Sequence, residues 1–294
     1  FQPACRLPIV GLLEGDTAMS CQHPKVDENS VVTLDTSIKP IRMDRRQIMM
    51  GIAAGSIVAF TGCAYNEQLG RNQLMLVSDG QMASLSSRAW SDMKKKQKIS
   101  RNPKYNNRLR SVGNKITKAA NMQNLNWEYV AFESKQKNAF VLPGGKVGFY
   151  TGMMDFLDND AQLAAIMGHE VGHVRARHGA ERYSQGLASQ VGMTAAQVAV
   201  AASDVSYGAP LVQALGLGLQ FGVLLPYSRS HELEADSIGL TYMTKAGYNP
   251  HQSVALWQKM ATDGGRRPPE FMSTHPDPTT RIAALRQQIA QMGY

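Results

Sequence analysis

The sequence predicts an α+β fold, mainly helical, with a small β-meander beside a helix that carries a His-Glu-x-x-His motif. Three observations point there. Leu163, Ile166, Met167 and Val174 recur at helical spacing around the motif. Short runs between positions 127 and 150 read as strands about a Pro-Gly-Gly turn. Hydrophobic residues make up 43% of the chain and charged ones 18%, enough to bury a core across 294 residues.

Residues 1–42 are expected to be an unstructured or over-predicted extension, because Met43 stands where a signal peptide would start. Residues 43–62 have signal-peptide form. Arg45 and Arg46 give a positive start, Ile48 to Thr61 form a short apolar run, and small residues precede Cys63. The run falls short of the roughly 20 residues that a spanning helix needs. Phe60-Thr61-Gly62-Cys63 resembles a bacterial lipobox, which makes Cys63 the expected lipid attachment point, although Phe is unusual at its first position. A buried apolar helix ending in an ordinary cysteine is the alternative. Ala64 then leans toward the outer membrane.

Residues 63–103 read as a polar lead-in with a helix around 81–96, and residues 104–294 as the catalytic domain. A second helix spans about 103–120 and ends at Asn121. Strands follow near 127–132, 138–142 and 147–150, the last two flanking Pro143-Gly144-Gly145. Asn159 caps the motif helix, with Gln162 completing a capping box, and the helix runs to about Arg177. The uncharged stretch 205–228 reads as helical structure packed over the site, since Pro210, Pro226, Gln213 and Gln220 interrupt it. Further helices are expected over 232–245, 250–262 and 278–292.

Composition narrows the chemistry. The net charge is +8, but residues 1–62 hold six basic and six acidic groups, so the excess lies beyond them. No RNP motif, zinc-finger spacing or basic stripe with interleaved aromatics accompanies it, so no nucleic-acid partner is expected. Lys94-Lys95-Lys96 reads as a solvated helix end. The three cysteines are Cys5, Cys21 and Cys63, so any metal site beyond position 63 must use His, Asp and Glu.

His169 and His173, at i and i+4, lie on one helical face and can take two corners of a zinc tetrahedron. Glu170 can then act as general base. Downstream, Glu232 and Asp236 are also four apart, while Glu234 lies about 200° round the helix from Glu232. Glu232 is the expected third ligand, and Asp236 the acceptor for the other ring N–H of a ligand histidine. Glu234 is left structural or solvent-facing, and His231 stays an alternative ligand. His178, Arg175 and Arg177 are read as helix-surface residues, and His251 simply begins a helix.

HEVGHVRARH, SRSHELEADSIG, NAFVLPGGKVGFYTGMMD and STHPDPTTRI together resemble the HtpX/CaaX-prenyl-endopeptidase family of gluzincins, in four ordered blocks over roughly residues 80–290. The nearest branch holds periplasmic LoiP/BepA-like and mitochondrial OMA-type members. The resemblance implies a zincin-type catalytic domain holding one Zn2+ per chain through His169, His173 and Glu232, with Glu170 as the base. It implies polypeptide substrates that pair with an edge strand at Asn138, Ala139 and Phe140. It makes His275 either a plug at zinc's fourth position or a catalytic group stabilising the oxyanion. Arg281 becomes an electrostatic partner near the site. The expected protein is a lipid-anchored endopeptidase of the bacterial envelope acting on misfolded or outer-membrane proteins. The alternatives are a chaperone or assembly factor with a plugged site, and a peptidase spanning the membrane through 205–228.

Overall fold

The computed structural model describes residues 62–201, 227–263, 269–276 and 278–294, with side chains through 190 and from 227 onward. The expected extension, nearly all of the signal segment, all but two residues of the 205–228 stretch, and the two arginines of the 266–269 loop lie outside the described residues. None of the described helices is long and apolar enough to cross a membrane.

The lead-in contains a hairpin that its composition hides. β1 (Cys63–Asn66) pairs antiparallel with β2 (Arg71–Leu74), and the turn closes through Gly70 N–H donating to Asn66 O at 2.8 Å. Gly70 takes φ 65°, a conformation that costs glycine little. Cys-Ala-Tyr-Asn and Arg-Asn-Gln-Leu carry little apolar alternation. Docking rests on polar groups instead: buried Gln73 donates to Ala176 O at 2.8 Å. Helix α1 (Asp79–Lys96) opens on a Ser78/Gln81 capping box and closes on the three lysines, one of which, Lys94, meets Glu128 at 2.6 Å. α2 (Pro103–Ala119) starts with Asn102 as cap and Pro103 in its first turn. It ends as Asn121 turns to φ 52°.

The three-stranded sheet corrects the expected meander. β3 (Glu128–Phe132), β4 (Ala139–Leu142) and β5 (Lys146–Tyr150) lie in the order β3-β5-β4, with β3 parallel and β4 antiparallel to β5. The Pro-Gly-Gly hairpin forms as read, with Gly144 and Gly145 at φ 86° and 83°. However, β3 joins the hairpin's second strand. The reason is burial: Val147 through Tyr150 are all buried, which suits a central strand, whereas β4 is buried only at alternate positions. That order leaves β4 at the edge.

α3 (Thr151–Phe156) leads into α4 (Asp160–Arg175), the motif helix. Asn159 accepts from Gln162 N–H at 3.0 Å, but Gln162 Oε1 accepts from Asp158 N–H, one residue before the expected partner. α4 is buried on most of its circumference, with Leu163, Ala164, Met167 and Val171 fully enclosed. α5 (His178–Ala201) adds a long helix beyond those expected. α6 (Arg229–Lys245), α7 (His251–Asp263), short α8 (Glu270–Thr274) and α9 (Pro278–Gln291) complete the described fold. α4 and α6 meet backbone to backbone. A Cβ on Gly168 would stand 2.7 Å from Gly239 O, and one on Gly172 would stand 2.7 Å from Ala235 O. This close contact sets the motif helix against the one that bears Glu232.

Candidate metal centre

Four buried side chains converge between α4, α6 and the end of α8. His169, His173, Glu232 and His275 each offer a ligand atom, all within 4.8 Å of one another. His169 Nε2 lies 3.0 Å from His173 Nε2 and 3.1 Å from His275 Nδ1. Glu232 comes within 3.4 Å of both motif histidines and 3.0 Å of His275. The i, i+4 phase of α4 aims both motif rings the same way, and the glycine contact brings Glu232 to them.

The groups behind the rings suit a tautomer with each motif ring's proton on Nδ1, although Arg281 Nη2 also lies 3.0 Å from His169 Nδ1. Asp236 Oδ1 accepts from His169 Nδ1–H at 2.9 Å. Asp236 is itself held by Arg281 through two 2.6 Å bonds. Burial alone would raise Asp236, but the Arg281 charge outweighs it and lowers the carboxyl. Arg281 also reaches Glu232 at 2.6 Å and lies 3.6 Å above the Trp257 ring. Behind His173 stands His178, its Nδ1 2.8 Å from His173 Nδ1 and its Nε2 2.8 Å from Glu234. A carboxylate accepts only, so His178 carries its proton on Nε2 and takes one from His173 Nδ1–H. In that tautomer both motif histidines leave Nε2 available to a metal, the two atoms 3.0 Å apart.

Two Nε2 atoms at that distance can both face one cation. Burial, then the Arg281 charge, pushes His169 down to about 4. Burial and His169 drive His173 well below its usual value. Both are thus neutral imidazoles, the form that binds zinc. Glu232 is also paired with Arg281, a permanent cation, at 2.6 Å. The donor set is that of a zinc site, two imidazoles and a carboxylate, with a third imidazole beside them.

Glu170 lies between the cluster and β4. Its Oε2 accepts from Val141 N–H of β4 at 3.1 Å. Its Oε1 is buried without a hydrogen bond, although His275 Nε2 lies 3.3 Å off. Burial, aided by the charge on Glu232, raises Glu170 to about 7. The expected edge strand lies beside it. Asn138 O accepts from Tyr150 N–H at 3.1 Å, and Ala139 and half-buried Phe140 begin β4.

His251 begins α7 in solvent and touches none of this. His231 stands apart from the cluster, 3.1 Å from Glu181. Glu234 is half-buried and paired with Arg71 and His178. The surface reading of His178 is corrected: its side chain is fully enclosed. Arg177, at φ 58°, breaks the helix there, so α5 starts in a new direction and turns His178 back onto His173. Arg175 and Arg177 do remain at the surface. Sequence reasoning also passed over Tyr227, whose ring stacks on His173 at 4.0 Å and on His275 at 5.4 Å. Burial, then the charge on Glu170, pushes its hydroxyl up to about 12, so it stays protonated. Its only signal is its place directly before the SRSHELEAD block.

Residues 103–289 match the family model for Peptidase family M48. The mitochondrial metalloendopeptidase OMA1 of Schizosaccharomyces pombe is 31% identical over 263 residues, covering 87% of this chain and 76% of that one. The metalloprotease LoiP of Escherichia coli K12 is 27% identical over 260 residues, covering 85% and 99%. The beta-barrel assembly-enhancing protease of the same strain is 29% identical over 190 residues, covering 63% of this chain but only 39% of its own.

Proposed function

The chain belongs to peptidase family M48 and is a zinc-dependent metallopeptidase, and we propose that its zinc is held by His169, His173 and Glu232. The observation that carries this is the pair of Nε2 atoms 3.0 Å apart, with Glu232 beside both. Bound there, zinc supplies a Lewis acid for the scissile carbonyl and lowers the pKa of water.

The remaining work falls to the chain's own groups. Glu170, buried and raised to about 7, is suited to take a proton from water and return it to the leaving amine. The outer edge of β4, where Val141 N–H now meets Glu170, offers main-chain hydrogen bonds to an extended peptide. Asn138, Ala139 and Phe140 line the start of that edge. His275 stands among the ligand atoms and, once displaced by substrate, is placed to donate to the oxyanion. The catalytic domain is taken as 104–294.

The location is part of the same proposal. Cys63 is exposed at the start of β1, which suits a lipid anchor on a bacterial envelope protein. Substrates are misfolded or outer-membrane polypeptides, a reading that draws on the named role of the beta-barrel assembly-enhancing relative. The mitochondrial relatives mark the competing compartment.

His275 favours a second reading, an assembly factor whose site is closed at rest, because its ring already occupies the cluster. One experiment on the full chain expressed in bacteria separates these. The wild type should fractionate with membrane, carry one zinc and cleave casein, and Cys63→Ser should be released. Cleavage only by His275→Ala favours the closed site. A wild type without zinc defeats the ligand assignment, and a membrane-bound Cys63→Ser defeats the lipid anchor.

A further inference from the structure

Behind the proposed ligand His173, a chain of polar groups runs out of the catalytic domain and into the N-terminal hairpin. His173 Nδ1–H meets His178, and His178 Nε2–H meets Glu234, each at 2.8 Å. Arg71 of β2 then grips Glu234 with two bonds, Nε at 2.6 Å and Nη2 at 2.9 Å. The same guanidinium grips Glu181 with two more, at 2.8 and 2.9 Å. One arginine thus makes a bidentate pair with each of two acids, using a fork geometry that lysine cannot reproduce.

The arrangement fixes more than charge. His178 has a side chain with no exposed surface, and its ring stacks on His231 with centroids 4.3 Å apart. His231 in turn is held by Glu181, which Arg71 and Gln73 also hold. The plane of His178 and the position of Glu234 therefore both trace back to Arg71. Gripped by Arg71, Glu234 polarises His178, which then pulls harder on the Nδ1 proton of His173 and strengthens its Nε2 as a donor.

We propose that Arg71, through Glu234 and His178, is a positioning residue for the zinc ligand His173, so that the hairpin at 63–74 is a working part of the metal centre. Arg71 lies outside the span that matches the family model, 103–289. The proposal rests on the zinc-ligand reading above and adds a source of ligand control that the four-residue cluster does not contain.

The test measures zinc affinity on the full chain by chelator competition, with the visible spectrum of the cobalt-substituted protein as a second readout. His178→Phe keeps a ring in place but removes the relay. It should weaken zinc binding about ten- to hundredfold and shift the cobalt bands. Arg71→Met should move both readouts the same way by less, and Arg71→Lys substitutes for it if the methionine variant does not fold. Asn102→Ala is the structural control. Asn102 caps α2 by accepting from Lys104 N–H at 2.9 Å, so its loss destabilises the fold without touching the hairpin or the relay. It should lower Tm and leave zinc affinity and spectrum alone. Wild-type affinity and spectra in the His178 and Arg71 variants, or an equal loss in Asn102→Ala, overturn the proposal by itself. A wild-type chain that takes up no zinc overturns the ligand reading along with it.

Discussion

His169 and His173 stand one turn apart on the same helix, yet the groups behind them come from different parts of the chain. Each ring Nδ1–H leads to a carboxylate, and each carboxylate is gripped by an arginine. For His169 the route is short: Asp236 accepts directly, and Arg281 holds Asp236 from α9. For His173 the route is longer, through the His178 ring to Glu234 and out to Arg71 on the hairpin. The short support is buried throughout, with Arg281 and Asp236 at 1% and 5% side-chain exposure. The long one reaches toward solvent, with Arg71 at 30%. A charge-assisted bond weakens with exposure, so the His169 side is the firmer of the two.

The largest expected effect separates chemistry from both supports. Glu170→Gln leaves the rings and their backing intact and removes only the proton acceptor. Its casein kcat should fall by about 10²–10⁴, with zinc content unchanged. Ordinary turnover by this variant would remove Glu170 from the mechanism. Asp236→Asn comes next. It keeps the shape of the acceptor but discharges the group that Arg281 holds, and zinc affinity should fall about ten- to hundredfold. The contrast with the His178 and Arg71 variants is the point of the measurement. If Arg71→Met costs more affinity than Asp236→Asn, the ranking of the two supports is reversed.

The difference also explains what the sequence could reveal. Asp236 is legible because it lies one helical turn from Glu232 on the same helix, and an i, i+4 relation needs no knowledge of tertiary structure. The relay behind His173 has no such local signature. His178 is five residues from His173, and its direction depends on Arg177 adopting φ 58°, which an arginine does not announce. Arg71 sits in a four-residue polar strand, and the two acids it grips are more than a hundred residues away. The sheet shows the same limit. A meander would have placed 139–142 in the middle, with both edges paired, and would have contradicted its expected role as a free edge. The order β3-β5-β4 keeps the edge open toward Glu170, because the continuous burial of β5 claims the central position. Short strands carry their residue faces in sequence, but their neighbours are chosen by packing.

Both supports depend on α4 and α6 keeping their distance, and Gly168 tests that shared foundation. An alanine Cβ there would lie 2.7 Å from the Gly239 carbonyl oxygen. That atom belongs to a helix backbone and cannot swing aside as a side-chain tip can, so the two helices must part. Gly168→Ala should cost about 1–3 kcal/mol, read as a lower Tm of the zinc-free protein. Because His169 is the next residue and Asp236 sits on the helix that is pushed away, zinc affinity should fall with stability. Gly186→Ala in α5 is the matching control, since nothing lies within 4 Å of its added Cβ. There the helix should gain up to about 1 kcal/mol from the lost backbone freedom of glycine. If both alanines stabilise the chain, the helices are not in backbone contact at Gly168, and the geometry that joins Glu232 to the two histidines would need another cause.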